Sequence, residues 1–298
     1  MKNNQLISIV MPSYNHGRFI KTAIDSVINQ TYHNWELLII DNNSTDATKN
    51  IINSYYEPRI RPYYVSNSGI IAYSRNFGIR KAKGEWIAFL DSDDFWASTK
   101  LEICSKSVFN NDFIYHDLCI LYDKRPLIYK KRTKNGQLNS DVIKQLLIKG
   151  NVINNSSVIV KKSLLIKVSM IDESPALVSV EDYNTWLKIA IISKNFHYIP
   201  KVLGFYREHN NGVSKESAID AFEQAGKAYE YLLSNYEMAQ REALINYNKG
   251  VHYFKKSEKD LANEFLLKSL KTPEIKIKVK ALCMLFLGLV EKYNFFRF

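Results

Sequence analysis

The sequence predicts an α/β fold, a Rossmann-like sheet flanked by helices, followed by a C-terminal all-helical extension. Apolar strand patterns alternate with amphipathic helix patterns over the first hundred residues, an order typical of parallel sheets with right-handed crossovers. From about residue 216 the pattern becomes purely helical. Because 298 residues can hold two domains, we expect one at 1–215 and a helical extension at 216–298.

The elements of the first domain follow from the spacing of apolar residues. Apolar runs predict strands at 6–11, 36–40, 61–65 and 86–90. Helical spacing predicts helices between them, at about 19–28, 44–52 and 70–82. The later part of the domain is more mixed, with strand patterns at 113–122 and 196–206 and a helical pattern at 183–192. The early alternation places the ends of several strands on one edge of a sheet, where ligands of such folds bind.

The composition is that of an ordinary globular protein, at 46% hydrophobic and 24% charged residues, which excludes disordered and collagen-like classes. The cysteines, Cys104, Cys119 and Cys283, show no zinc-ligand spacing and fit a reducing compartment. The N-terminal apolar run ends at Pro12 and is too short for a signal peptide. We therefore expect a cytoplasmic protein.

The basic charge is concentrated in one part of the chain. The formal net charge is +11, yet residues 1–105 carry 11 basic and 10 acidic side chains, so the excess lies in 106–298. A basic surface attracts nucleic acid, anionic lipid or phosphorylated substrates. The sequence contains no nucleic-acid-binding motif. We therefore expect no nucleic-acid partner and favour an anionic membrane surface or a phosphorylated acceptor.

The C-terminal end contains an apolar run, residues 281–290, that follows Lys276, Lys278 and Lys280. The run is too short to cross a bilayer, which takes about 20 residues. Two interpretations stay open: a helix that packs on the protein's own core, and an amphipathic helix that lies in a membrane interface or contacts a partner. With the second, the protein would be peripheral at the inner face of the cell membrane.

Residues 86–94 hold the strongest functional signal. A strand apolar enough to be fully buried ends in Asp91, Ser92, Asp93 and Asp94. Three carboxylates within four residues repel one another unless a cation lies among them, and oxygen-rich clusters suit Mg²⁺ or Mn²⁺. A solvated turn with a helix cap is the alternative. We favour a metal site.

Polar residues also close the first two strands and line the third helix. Tyr14 would stack on a base, Asp41 would accept a base N–H, and Arg75 would either contact a diphosphate or hold the acidic edge. The implied ligand is a nucleoside diphosphate carrying a transferable group. The residues expected to bind it are Pro12, Ser13, Tyr14, Asn15, Asp41, Arg75, Asp91 and Ser92.

Two downstream pairs complete the candidate site. Glu181 and Asp182 precede a helix, so they are either helix-start residues or candidates for a general base whose pKa burial would raise. Arg207 and His209 follow the last strand, where they fit a diphosphate or metal contact.

These segments together resemble the family 2 inverting glycosyltransferases with the GT-A fold. The resemblance covers residues 5 to about 215 and rests on the motifs S-I-V-M-P-S-Y-N, L-L-I-I-D-N-N-S-T-D, S-R-N-F-G-I-R-K-A-K-G-E-W-I-A-F-L-D-S-D-D, E-D-Y-N-T-W and Y-R-E-H. It implies that Asp93 binds the metal directly, that Asp41 contacts uracil or guanine, and that Asp182 is the base. Asn42 departs from the family, which usually has a second Asp there.

The resemblance implies a metal-dependent transferase of bacterial surface-polysaccharide synthesis. It would use Mn²⁺ or Mg²⁺, a nucleoside-diphosphate sugar, expected to be a UDP-sugar, and a hydroxyl of a glycan or lipid-linked acceptor. The expected roles are catalysis for Asp182 and Glu181, metal binding for Asp93, Asp91 and His209, and diphosphate contacts for Arg207 and Asp94.

Two other functions stay open on the residues alone. A sugar nucleotidyltransferase, the first of them, would need a glycine-rich loop near the N-terminus, which the sequence lacks. A dinucleotide-binding Rossmann protein is not among them, because the sequence has no G-x-G-x-x-G after the first strand. A non-catalytic sugar- or partner-binding protein on the same scaffold would not need Asp93 and Asp182.

Overall fold

The computed structural model describes residues 5–122, 131–133, 136–138, 141–208 and 218–294. The chain divides into two compact units. The first comprises Met1–Val142 and Val152–Lys215, and the second comprises Ile143–Asn151 and Glu216–Phe298. The second unit thus includes residues 143–151, which we expected in the first domain.

The first unit is built on a single mixed sheet. Its strands, within the described residues, are β1 (Ile7–Ser13), β2 (Trp35–Asp41), β3 (Ile60–Tyr64), β4 (Trp86–Phe89), β5 (Phe95–Trp96), β6 (Phe113–Tyr122), β7 (Lys131–Arg132), β8 (Ile159–Lys161) and β9 (Phe196–Glu208). They follow the order β3-β2-β1-β4-β8-β6-β9-β5, and β7 pairs with β6. The α/β class predicted from the sequence is confirmed, with a C-terminal set of helices.

The four early strands are parallel, as the alternation of strands and helices predicts. Parallel pairs join β3 to β2, β2 to β1 and β1 to β4, while β8 runs antiparallel to β4. Every residue of β1, β2 and β4 is buried, which explains their continuous apolar sequences. The register of β1 on β2 pairs Ser13 with Asp41, so both strands end at one level.

Helices cover this sheet. They are α1 (Ile20–Ile28), α2 (Thr48–Asn53), α3 (Ile71–Lys81), α4 (Lys100–Ser105), α6 (Lys162–Lys167) and α7 (Glu181–Ile192). α3 lies close to the sheet at Gly78, where an added Cβ would stand 2.6 Å from Val10 and 2.8 Å from Ile40. The glycine therefore permits the contact that holds α3, and with it Arg75, against β1 and β2.

The second unit is helical. It contains α5 (Val142–Lys149), apart from its first residue, and α8 (Ala218–Lys227), α9 (Asn235–Lys255), α10 (Lys259–Ser269) and α11 (Ile275–Asn294). α9 begins with a capping box formed by Ser234 and Glu237. Arg241 is fully buried and donates to Glu230 and to the Leu147 and Glu223 carbonyls. Among the described helices of the chain, none is long and apolar enough to cross a membrane.

Candidate active site

The loops that follow β1 and β2 are joined by hydrogen bonds. The Asn42 N–H donates to the Ser13 carbonyl at 2.8 Å, and the Asn15 N–H donates to the Ser44 hydroxyl at 2.8 Å. The Asn15 side chain in turn accepts from the Thr45 N–H at 2.8 Å. Asn15 takes a positive φ of 51°, a conformation that Asn tolerates well. The two strand ends therefore form one fixed wall.

Asp41 belongs to this wall. Its side chain is fully buried, and its two carboxylate oxygens accept hydrogen bonds from the N–H and the hydroxyl of Ser44. The carboxylate thus stabilises the turn from Asp41 to Ser44. Tyr14, by contrast, is 53% exposed, which leaves its ring accessible to a ligand.

The three carboxylates that follow β4 have different surroundings. Asp91 is half-buried, and its Oδ1 accepts from Arg75 Nη2 at 2.8 Å and Asn155 Nδ2 at 3.2 Å. Asp94 is buried and accepts from the Arg207 backbone N–H at 3.0 Å. Asp93, which lies between them in the sequence, is half-buried. Asp94 therefore braces the end of β9, whereas Asp91 is fixed from the side of α3.

The electrostatics of this cluster fit a cation. Burial, followed by the charges of Asp93 and Asp91, raises the pKa of Asp94 well above its usual value. Burial and the same three carboxylates also raise the pKa of Tyr206. Negative charge in this crevice is thus incompletely balanced by the protein, and a divalent ion would relieve the repulsion.

Arg75 connects the acidic cluster to the Glu181–Asp182 pair. Its guanidinium is buried, with Nη2 on Asp91 and Nη1 on Glu181. Burial lowers the pKa of Arg75, but the charges of Asp91, Glu181 and Asp182 outweigh it and raise the pKa above its ordinary value. Of the two roles expected for Arg75, this geometry matches the one in which it holds the acidic edge.

Glu181 and Asp182 occupy the first turn of α7. Glu181 is buried and paired with Arg75, so its charge is compensated. Asp182 is half-buried, and its Oδ1 accepts from the Tyr183 N–H at 2.6 Å. The two carboxylates therefore differ: Glu181 is buried in an ion pair with Arg75, whereas Asp182 is only half-buried at the start of α7.

A turn that the sequence did not single out lies beside Asp91. The antiparallel pairing of β4 with β8 places the short helical turn Asn155–Ser157, which precedes β8, next to the residues that follow β4. The Ser156 hydroxyl accepts from the Asp91 N–H at 3.1 Å and also hydrogen-bonds Asp94. This turn is therefore part of the site, although small polar residues before a short strand are an ordinary pattern.

Lys100 and Arg207 support the site from within the fold. Lys100 is fully buried and donates to the Ser156 carbonyl at 2.9 Å, and burial lowers its pKa well below the usual value. The Arg207 guanidinium lies over the rings of Phe19, at 5.5 Å, and Phe95, at 4.9 Å.

His16 contacts Ser92 through Nδ1 at 2.7 Å. His209 lies outside the described residues.

Several buried polar atoms of the site lack a hydrogen-bond partner within the described part of the chain. They are Ser13 Oγ, Arg75 Nε, Asn155 Oδ1, Glu181 Oε2 and Arg207 Nε. Because an unpaired buried polar atom costs about 1–3 kcal/mol, such a group of atoms indicates a place that a polar ligand fills.

The described residues hold no cluster of three or more His, Cys, Asp or Glu side chains arranged to bind a metal. Mg²⁺ is often bound by only one or two carboxylates together with substrate phosphates. Asp93 and Asp91 offer oxygen ligands beside Asp94, whose raised pKa reflects burial and the repulsion among the three carboxylates. The donor set therefore fits a hard divalent cation that is shared with a diphosphate.

Comparison with known proteins gives the family. Residues 8–169 match the model of glycosyl transferase family 2, and the chain belongs to this family. The UDP-Glc:alpha-D-GlcNAc-diphosphoundecaprenol beta-1,3-glucosyltransferase WfgD of Escherichia coli is 32% identical over 187 residues, which are 63% of this chain and 70% of that protein. The family supports glycosyl transfer over the alternative functions left open by the sequence.

A second relative and two solved structures are also similar. The putative teichuronic acid biosynthesis glycosyltransferase TuaG of Bacillus subtilis is 39% identical over 99 residues, 33% of this chain, and the match spans 39% of its length. S. aureus TarS 1–349 in complex with UDP-GlcNAc aligns with a TM-score of 0.63 at 17% identity, covering 97% of this chain and 91% of that one. The mannosyltransferase PcManGT of Pyrobaculum calidifontis, in complex with GDP-Man and Mn²⁺, aligns with a TM-score of 0.59 at 16% identity, covering 98% and 82%. These likenesses confirm the fold.

Proposed function

We propose that this protein is an inverting glycosyltransferase that moves a sugar from a nucleoside diphosphate to a hydroxyl of a glycan or lipid-linked acceptor in surface-polysaccharide synthesis. The observation that carries the proposal is the position of Arg75, which joins Asp91 of the acidic cluster to Glu181 beside Asp182. The groups expected to bind the leaving diphosphate and the group expected to take the acceptor proton thus lie around one buried guanidinium.

The donor is a UDP-sugar in this proposal. The WfgD relative is named for UDP-Glc, and TarS was solved with UDP-GlcNAc, although PcManGT was solved with GDP-Man. The wall formed by Pro12, Ser13, Tyr14, Asn15 and Asp41 would hold the nucleoside, with the exposed Tyr14 ring available to stack on the base. Arg207 would add positive charge at the diphosphate.

A divalent ion, Mn²⁺ or Mg²⁺, would be held by Asp93 and Asp91 together with the diphosphate oxygens, and His209 is a further candidate ligand. When bound, the ion stabilises the negative charge that develops on the leaving diphosphate. Asp94 has a different task. It is buried and accepts from the Arg207 backbone N–H, so it would position the end of β9, and with it Arg207, for the diphosphate contact expected of both residues.

Asp182 serves as the general base. It accepts the proton of the acceptor hydroxyl while that oxygen forms a bond to the anomeric carbon and the bond from this carbon to the diphosphate breaks. Attack opposite to the leaving group inverts the anomeric carbon. Glu181 forms an ion pair with Arg75 and so keeps the positive charge of Arg75 in the crevice. The products are the glycosylated acceptor and the nucleoside diphosphate.

A panel of sugar nucleotides tests this function. The full chain with Mn²⁺ would be supplied with UDP-, GDP- and dTDP-sugars and with a GlcNAc-diphospho-lipid acceptor, and release of the nucleoside diphosphate would be measured. We expect acceptor-dependent release from a UDP-sugar. Tight binding of sugar nucleotides without any release would instead indicate a binding protein.

We also propose that the protein acts as a peripheral protein at the inner face of the cell membrane, through α11. Ile275, Val279, Leu282 and Phe286 are exposed and lie on one face of this helix, spaced by four, three and four positions; we call them the α11 stripe. Ile277 and Ala281, on another face, are buried. α11 therefore packs on its own unit and still presents an apolar row to the outside.

The charge around the α11 stripe favours an anionic lipid surface over a second copy of the chain. Lys276 and Lys278 are exposed and flank the stripe on either side, where their ends can reach lipid headgroups while the apolar side chains enter the interface. Two copies of the same basic surface would repel each other. A surface of this kind suits an enzyme whose acceptor is anchored in the membrane.

A further inference from the structure

The turn Asn155–Ser157 contains a buried side-chain oxygen, Asn155 Oδ1, that has no hydrogen-bond partner among the described residues. Asn155 is 6% exposed, and its Nδ2 donates to Asp91 Oδ1 at 3.2 Å. The amide cannot be turned around, since Asp91 offers only acceptor oxygens there. Its Oδ1 is therefore the atom that points away from Asp91, buried and without a partner among the described residues.

The position of Asn155 is fixed by its neighbours. The Ser156 carbonyl accepts from both Trp96 Nε1, at 2.8 Å, and Lys100 Nζ, at 2.9 Å. The Ser157 hydroxyl donates to the Asn154 carbonyl at 2.7 Å. The turn is therefore held against Trp96 and Lys100, and the Asn155 side chain is held by its contact with Asp91. A buried acceptor held in this way is characteristic of a preorganised ligand contact.

The unpaired atoms near Asn155 identify the kind of group that would fill the gap. Asn155, Asp91, Arg75 and Glu181 form a continuous chain of hydrogen bonds and ion pairs. Both ends of that chain carry an unpaired acceptor, Asn155 Oδ1 and Glu181 Oε2. Phosphate oxygens cannot satisfy acceptors because they have no hydrogen to donate. Sugar hydroxyls can.

We propose that Asn155 is a specificity residue for the transferred sugar, whose Oδ1 accepts a hydrogen bond from one sugar hydroxyl. The inference rests on the proposed function, since it assigns a contact to the donor of that reaction. In this arrangement the Asn155 amide has two tasks: Nδ2 orients Asp91 toward the diphosphate, and Oδ1 selects the sugar attached to it. A sugar lacking that hydroxyl leaves the Oδ1 atom buried and unpaired, which costs binding free energy.

A chemical double-mutant cycle tests the assignment. UDP-glucose and its monodeoxy analogues would be compared as donors for the wild type and for Asn155→Ala, with kcat/KM and the Kd of each donor and of UDP measured. For the wild type we expect one analogue to be about tenfold worse than the parent sugar. In Asn155→Ala this penalty should fall to near onefold. The Kd of UDP should rise as well, because Asp91 loses its contact with Asn155 Nδ2, but that loss is common to all donors and does not change the ratio between them.

Ser156→Ala is the matched control, because it perturbs the same turn and its contact with Asp91 but leaves Asn155 in place. It should lower kcat/KM for all analogues by a common factor and retain the tenfold penalty. Thermal melting of both variants would show whether the turn still folds. If Asn155→Ala retains the same penalty for every analogue, the assignment is wrong. An absence of turnover by the wild type with every sugar nucleotide would instead overturn the proposed function.

Discussion

At the scale of single residues, Arg75 determines whether the site is assembled. A buried guanidinium lies between Asp91, which is half-buried, and Glu181, which is buried, and forms an ion pair with each. Lysine has one compact charge and cannot contact both carboxylates in the planar, forked way of arginine. The identity of this residue therefore matters as much as its charge.

Arg75→Lys should consequently impair both stability and turnover. We expect the free energy of unfolding to fall by about 2–4 kcal/mol, because one buried carboxylate loses its partner. We expect kcat to fall by at least about tenfold, since Asp182 and the acidic cluster are no longer held together. Urea unfolding and steady-state kinetics would measure the two effects. Arg61→Lys, at a partly exposed arginine paired with Glu36, is the control and should change kcat little.

Asp182 and Glu181 are adjacent but should behave differently when their charges are removed. Asp182→Asn should lower kcat by about 10²–10⁴, the usual contribution of a general base, and leave the Kd of UDP unchanged. Glu181→Gln should lower the melting temperature as well, because Arg75 loses a buried counter-charge. Calorimetric titration and kinetics on both variants would separate the roles. Equal losses of binding and turnover in Asp182→Asn would show that Asp182 is not the base.

Asp93 and Asp91 allow a similar comparison for the metal. Asp93 contributes to the repulsion that raises the pKa of Asp94, so Asp93→Asn should leave stability unchanged or slightly higher while most turnover is lost. Asp91→Asn should lower both, since it also removes the ion pair with Arg75. Chelation by EDTA should abolish turnover of the wild type, and Mn²⁺ or Mg²⁺ should restore it. Turnover that is insensitive to EDTA would contradict the metal assignment.

At the scale of elements, the strands that end in the site are the part that the sequence predicts best. β1, β2 and β4 are largely apolar runs followed by polar residues, a pattern that depends on local sequence alone. The turn at 155–157 is different. Its role arises from the pairing of Ala88 with Ile159, a contact between distant residues that no local pattern reports. The same reason explains why no local pattern indicates Lys100 or the contact of Arg75 with Glu181.

The α11 stripe should be needed for binding to anionic membranes. Leu282→Ser combined with Phe286→Ser should weaken binding to vesicles that contain anionic lipid by about tenfold or more, because two exposed apolar side chains no longer enter the interface. Lys276→Gln with Lys278→Gln should weaken it as well, and more strongly at low salt. Vesicle sedimentation would measure both, while turnover on a soluble acceptor should not change.

Leu267→Ser is the control for the α11 stripe. Leu267 is 55% exposed on α10 and does not belong to the stripe, so its replacement should leave vesicle binding intact. If the wild type does not bind anionic vesicles at low salt, or if it binds neutral vesicles equally well, the α11 stripe does not bind an anionic membrane. A concentration-dependent dimer that the stripe substitutions abolish would identify a second copy instead.

At the scale of the whole molecule, the two units carry different parts of the proposed activity. The first unit contains the candidate active site, and the second carries the α11 stripe. The sequence predicts this division from its change of pattern near residue 216. It does not predict that residues 143–151 group with the helices, because an amphipathic segment does not reveal which of two cores it joins.

The stereochemistry of the product tests the central claim most directly. The full chain would be given a UDP-sugar with an α-linked diphosphate and an acceptor, and the anomeric configuration of the new linkage would be determined by NMR coupling constants. A single displacement with Asp182 as base predicts a β-linked product, and Asp182→Asn should form the same product far more slowly. An α-linked product would contradict inversion, and with it the role assigned to the crevice around Arg75.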